Sequence, residues 1–163
     1  MALATYMKAG RRGMAQFVAE VDGASTPITI GKLLTCTIGD GNSPEFTDPL
    51  NPPAVDPDDE GLLGASLGAK SQPTVQYLEA TPDGSGAITY GGETYNAVAG
   101  PTDLLLFTWL FAPSDAVGEW REILVSFTRS NLAFMKLHPV GSRAGWQTKT
   151  NSEERPVRLL LEF

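Results

Sequence analysis

The single histidine, His138, stands between Leu137 and Pro139 at the end of an apolar run, with no Ser or Cys of nucleophile-elbow type to serve it. It reads as structural. Glu119 and Glu122 are the one pair of acids placed to resemble a glycosidase couple, but three residues apart in a strand they face opposite ways. Glu122, next to Arg121, reads instead as a salt-bridging residue at a buried edge. Cys36 is alone, so no internal disulfide forms, and one Cys with one His cannot assemble a zinc cluster. Gly39-Asp40-Gly41 follows a strand but leads into prolines rather than a helix, which leaves a phosphate cradle without support. Asp56-Pro57-Asp58-Asp59-Glu60-Gly61 imitates the opening of a calcium loop. The position that needs a bidentate Glu is Leu67, and no paired helices flank the run. The expectation is a protein without catalytic residues, cofactor or metal.

These residues are positioned by a chain that reads as mainly β. Leu104–Phe111 is almost wholly apolar, too short to span a bilayer and too continuous for a half-exposed strand, so it belongs in the core. A turn through Pro113, Ser114, Asp115 and Gly118 leads to a second apolar run, Trp120–Phe127, which Arg121 and Glu122 interrupt. From Ile28 to Ile38 the even positions are mostly apolar, with Leu34, Cys36 and Ile38 on the inward face; Cys36 there is a small buried apolar residue. Thr74–Glu79 is a strand, and Ala87–Tyr90 and Glu93–Val98 flank Gly91-Gly92 as a hairpin with a primed turn, with Tyr90 and Tyr95 as possible cross-strand neighbours. Leu132–Leu137 alternates, with Leu132, Phe134 and Lys136 on one side. Gly141–Asn151 is an exposed loop carrying Trp146, and Pro156–Phe163 is a terminal strand. Met14, Phe17, Val18 and Val21 share a helical face, giving one short helix over Gly10–Val21. Gly10 and Gly13 weaken its start by about 1 kcal/mol each relative to Ala. One helix and seven or so strands without regular alternation predict an antiparallel sheet or two-sheet β-sandwich in a single domain, residues 1–163.

Residues 39–61 differ in kind, with five prolines, seven acids and no base. That composition cannot form a regular helix or central strand, so a mobile loop that orders only against a neighbour is expected. Residues 1–32 carry four bases against two acids, 33–120 one base against thirteen acids, and 121–163 seven bases against four acids. An acidic middle between basic ends disfavours nucleic-acid binding and favours contacts between unlike regions. With no charged-then-apolar leader and no long apolar run, the sequence predicts a soluble chain made in the cytoplasm, without membrane contact.

Taken together, the small-residue helix, the Ile28-Thr29-Ile30 strand, Ile38-Gly39-Asp40-Gly41, the Pro-rich loop and Pro113-Ser114-Asp115-Ala116-Val117-Gly118-Glu119-Trp120-Arg121-Glu122-Ile123 resemble the N-terminal domain of bacteriophage tail-collar and tail-fibre proteins. After Ile123 the chain departs from that pattern, with Leu124-Val125-Ser126-Phe127 in place of Gly-Leu and an acidic turn. The resemblance implies a virion structural protein of the viral tail. It would be a freestanding adaptor that joins tail fibres to the baseplate or tail tip in host attachment, as a homo-oligomer among other tail proteins. Two other readings are a β-sandwich that binds a carbohydrate or receptor through Trp146, Tyr90 and Tyr95, and a tail-completion or head-decoration protein. In the adaptor reading, Asp56, Asp58, Asp59 and Glu60 meet the Arg143, Lys149, Arg155 and Arg158 region of a neighbour. Trp146 supplies apolar anchorage, and Arg121 and Glu122 hold the fold or a subunit contact.

Overall fold

The computed structural model describes Thr5–Tyr6, residues 34–99 and residues 102–162. Among the described residues every regular element is a strand: β1 Thr5–Tyr6, β2 Leu34–Gly39, β3 Ser66–Ser71, β4 Thr74–Ala80, β5 Ile88–Tyr90, β6 Glu93–Val98, β7 Leu104–Phe111, β8 Gly118–Trp120, β9 Glu122–Phe127, β10 Ala133–Leu137, β11 Gln147–Lys149 and β12 Arg155–Glu162. All pairings are antiparallel. One sheet runs β1-β10-β9-β2-β3, a second β12-β7-β4-β6-β5, and β11 with β8 forms a small ribbon. The helix expected over Gly10–Val21 and the first half of the strand from Ile28 lie outside the described residues. The strands beyond the expected seven or so are mostly two or three residues long, except β3, whose Ser-Leu-Gly-Ala-Lys-Ser sequence has no apolar run to announce it.

The two large sheets share one core. Leu34, Cys36, Ile38, Val125, Phe134 and Met135 meet Leu105, Phe107, Trp109, Phe111, Leu159 and Leu161 from the other sheet. Cys36 is fully buried, and burial pushes its thiol far above the ordinary range, as its apolar role requires. β7 is buried on both faces along much of its length, because Leu78, Tyr95 and Leu106 form a smaller cluster on the outer side, packed by Ile88, Tyr90, Leu104 and Leu160. The turn after β7 does not make a hairpin. β7 lies between β4 and β12, whereas β9 lies between β2 and β10, so residues 112–121, with β8 among them, carry the chain from one sheet to the other. The Gly91-Gly92 turn has positive φ at both residues, 60° and 87°, which a primed hairpin turn needs and glycine supplies without strain. Its register sets Tyr95 opposite Ile88 and Tyr90 opposite Glu93, so the two tyrosines are diagonal rather than direct partners. Pro156 is accommodated because β12 is an edge strand.

In β10 the simple alternation fails. A register shift between Ala133 and Met135 inserts one residue, so Phe134 and Met135 both reach the inner core while Ala133 and Lys136 both face outward. Lys136 therefore leaves the side that it shares with Phe134 by plain alternation and joins Leu124, its partner on β9, on the outer face of the first sheet.

That outer face is covered by residues 40–65, which corrects the expectation of a mobile loop awaiting a neighbour. The loop's ends are tied together: the Asp40 amide donates to the Ala65 carbonyl at 2.9 Å, and the Ala65 amide donates to Asp40 Oδ1 at 2.8 Å. Val55 and Leu62 pack on Leu124 and Ala133, and Phe46 is buried. A long segment poor in apolar residues orders on its own domain because the sheet beneath offers it charged partners as well as apolar ones.

Candidate functional site

Among the described residues, a dense polar constellation lies between that loop and β9–β10. Glu122 has no exposed surface. Its Oε1 accepts from the Leu63 amide at 2.7 Å and its Oε2 from the Gly64 amide at 2.8 Å. Lys136 is equally buried, and its Nζ lies 3.2 Å from Glu122 Oε1, 3.1 Å from Asp59 Oδ2 and 2.9 Å from the Gly61 carbonyl. Two hydrogen bonds and a buried counter-ion thus meet the ammonium, which could not be buried unpaired. His138 closes the group. Its Nδ1 is 2.7 Å from the Pro53 carbonyl, which can only accept, so Nδ1 carries the proton and donates. The opposite nitrogen, Nε2, has no hydrogen-bond partner and lies 4.0 Å from Glu122 Oε1. Burial holds the histidine's pKa below its ordinary value. Lys136 adds to the lowering, while the Pro53 carbonyl, Glu122 and Asp59 oppose it.

The glycines around this group are fitted to it. Gly39 pairs with Glu122 across the strands, and a Cβ on Gly39 would stand 2.8 Å from Glu122 Oε2. A Cβ on Gly41 would stand 2.5 Å from Arg121 Cβ, and one on Gly64 2.4 Å from Asp40 Oδ1. The Arg121 amide donates to the Gly39 carbonyl at 3.1 Å. Gly39-Asp40-Gly41 and Arg121-Glu122, far apart in sequence, are therefore two halves of one packed unit.

Of the residues expected at an interface, several turn inward. Glu122 and Asp59 hold the loop, and Asp56 accepts at Oδ1 from the Asp58 amide in a local turn. Asp56, Asp58 and Glu60 are exposed. Trp146 is half-buried, with Phe46 edge-on at 5.7 Å and the Arg121 guanidinium over its ring at 5.0 Å, so it is already partnered within the domain. Arg121 also donates through Nε to Glu119 at 3.1 Å. Arg155 lies over Trp120 at 5.0 Å and donates to the Thr148 carbonyl and Glu153, whereas Arg158 is exposed. Lys149 is not available to a neighbour. It is fully buried and donates to the Ala112, Pro113 and Thr150 carbonyls, pinning the loop after β7. The three aromatics of a glycan-binding reading do not converge: Tyr90 and Tyr95 belong to the outer cluster of the second sheet, with Tyr95 almost wholly buried, and Trp146 packs with Phe46 beside the first.

Sequence reasoning did not find Lys136 and Asp59 as partners of Glu122. The signal present was a lone lysine within an apolar run, Ala133–Leu137, which a burial argument could have flagged as needing an acid. Chemically, the group is built to fasten rather than to bind a diffusing substrate, because both Glu122 oxygens accept from backbone amides of the loop and Lys136 Nζ is enclosed by Asp59, Glu122 and the Gly61 carbonyl. The sequence matches no protein family model and no curated protein.

Proposed function

We propose that the chain is a bacteriophage virion structural protein, an adaptor between tail fibres and the baseplate or tail tip. The observation that carries this reading is the contact between the two motifs on which the resemblance rests. The Gly39 carbonyl accepts from the Arg121 amide, Gly39 pairs with Glu122, and Gly41 leaves room for the Arg121 side chain. A domain whose buried charges serve to lock a long loop onto a sheet also suits a part that must hold its shape under load. Contact surface for partners is supplied by exposed Arg158 on edge strand β12, exposed Leu110 diagonal to it on β7, opposite Pro156, and the acidic outer side of the loop at Asp56 and Glu60. Mass spectrometry of particles purified from a strain carrying the gene tests the proposal. The chain should be found in tails at several copies per particle, and particles that lack it altogether would remove the basis for an adaptor.

A further inference from the structure

Lys136, Asp59 and Glu122 together have the composition of a self-condensing site, and we propose that Lys136 Nζ and the Asp59 side-chain carboxyl join in an intramolecular isopeptide bond. This goes beyond the adaptor reading and does not rest on it. Three observations point to it. The nucleophile and its target are already in contact, 3.1 Å from Nζ to Asp59 Oδ2, which supplies the proximity that otherwise limits amide formation. A second carboxylate, that of fully buried Glu122, reaches the same nitrogen at 3.2 Å and is fixed in place by the Leu63 and Gly64 amides. Lys136 has no exposed side chain, so bulk water does not compete at the nitrogen, while Asp59 keeps 23% of its side chain exposed and gives the released water a way out.

The other lysines of the described residues lack this set. Lys70 lies closer to its acid, 2.7 Å from Asp115 Oδ2, but both side chains are about a third exposed and the pair is open to water. Lys149 is fully buried, yet the acceptors at its Nζ are backbone carbonyls, which offer no carboxyl to condense with.

The step balances without an oxidant or co-reactant. The Lys136 ammonium gives up two protons and the Asp59 carboxylate one oxygen. A C–N bond forms at Asp59 Cγ, a C–O bond breaks, and one water leaves. The first proton passes from Nζ directly to Asp59, leaving a neutral amine and a carboxylic acid; Glu122 accepts the second as the amine attacks and returns it to the departing hydroxyl, ending as it began. The product replaces the ammonium and the Asp59 carboxylate by a neutral amide, and Glu122 stays held by the Leu63 and Gly64 amides. The one N–H that remains can still donate to the Gly61 carbonyl, now 2.9 Å from Nζ.

The test is the intact mass of the full-length folded chain, measured after denaturation, with a digest sequenced by tandem mass spectrometry. The expected result is a chain lighter by one water and a branched peptide joining the Asp59 and Lys136 segments. Asp59→Ala, at a partly exposed position, should restore the full mass, and Glu122→Gln should leave most of the chain unlinked. Wild-type protein that keeps its full mass after prolonged incubation at neutral pH overturns the proposal. So does a loss of water without the branched peptide, since a cyclic imide at Asp83-Gly84 would give the same mass.

Discussion

At the scale of single residues, Glu122 carries the most. Glu122→Gln removes the charge opposite Lys136 and turns an amide N–H2 toward one of the Leu63 and Gly64 donors. Breaking a buried pair in this way costs about 3–5 kcal/mol, which denaturant unfolding should detect. A variant within about 0.5 kcal/mol of wild type would mean that the pair does not hold the loop. The glycines give a paired comparison. Gly64→Ala drives a methyl into Asp40 Oδ1 and the Asn42 amide, whereas Gly61→Ala meets nothing within 4 Å, so thermal melting should separate them clearly. His138 adds a pH dependence with a definite sign. Its folded pKa lies below the ordinary 6.5, so the unfolded chain binds the extra proton first. The stability that it contributes is fully present above 6.5 and is lost as pH falls through the lower folded value. His138→Asn keeps a donor for the Pro53 carbonyl but cannot titrate there, and its melting temperature should fall less than that of wild type over this window. Equal slopes for the two proteins would assign the pH dependence elsewhere. The lowered carboxyls Asp48, Asp83 and Asp115, each held by hydrogen bonds, act in a separate window that opens only as pH falls through 3.8 and below.

At the scale of elements, the loop over residues 40–65 is the feature to probe. Its Leu63 and Gly64 amides donate to Glu122 and its Ala65 amide to Asp40, so all three should exchange hydrogen slowly, like sheet amides. In Glu122→Gln the first two should become fast. Fast exchange at all three in the wild type would restore the picture of a free loop. The sequence-based reading of this segment failed where that of others succeeded, and the reason is distance along the chain. Leu34, Cys36 and Ile38 declare their inward face by alternation alone, and Gly91-Gly92 declares its turn by two adjacent residues. The β7 run, Leu104–Phe111, needs only its own composition to be placed in the core. The lock on the loop depends on residues from three separate stretches, and on a bulge beside Phe134 that reverses which side Lys136 faces. A lone lysine in an apolar run signals the need for an acid, but nothing local to Lys136 names Asp59 or Glu122 as the partner. Proline and acid content described correctly what residues 40–65 cannot become, a helix or a central strand. It said nothing about the sheet face that would receive them.

At the scale of the whole molecule, surface charge becomes a question of assembly. Arg155 is engaged with Trp120, Thr148 and Glu153, so reversing it would disturb the fold as well as any contact. Arg158 is the cleaner probe. Arg158→Glu should leave stability within about 0.5 kcal/mol and slow incorporation into tails, with a stronger dependence on salt. Unchanged incorporation kinetics would take Arg158 out of the contact surface. The knot of bonds at Asp40 and Ala65 also has a consequence in time. Glu122, Lys136 and His138 come together when β9 pairs with β10, and Gly39, from which the loop departs, joins them when β9 pairs with β2, so the segment above them has nothing to dock on until the first sheet is in register. Its closure therefore belongs to the native side of the folding barrier. Loosening it by Glu122→Gln should accelerate unfolding and leave the refolding rate nearly untouched, so that the loop governs how long the folded molecule lasts rather than how quickly it forms.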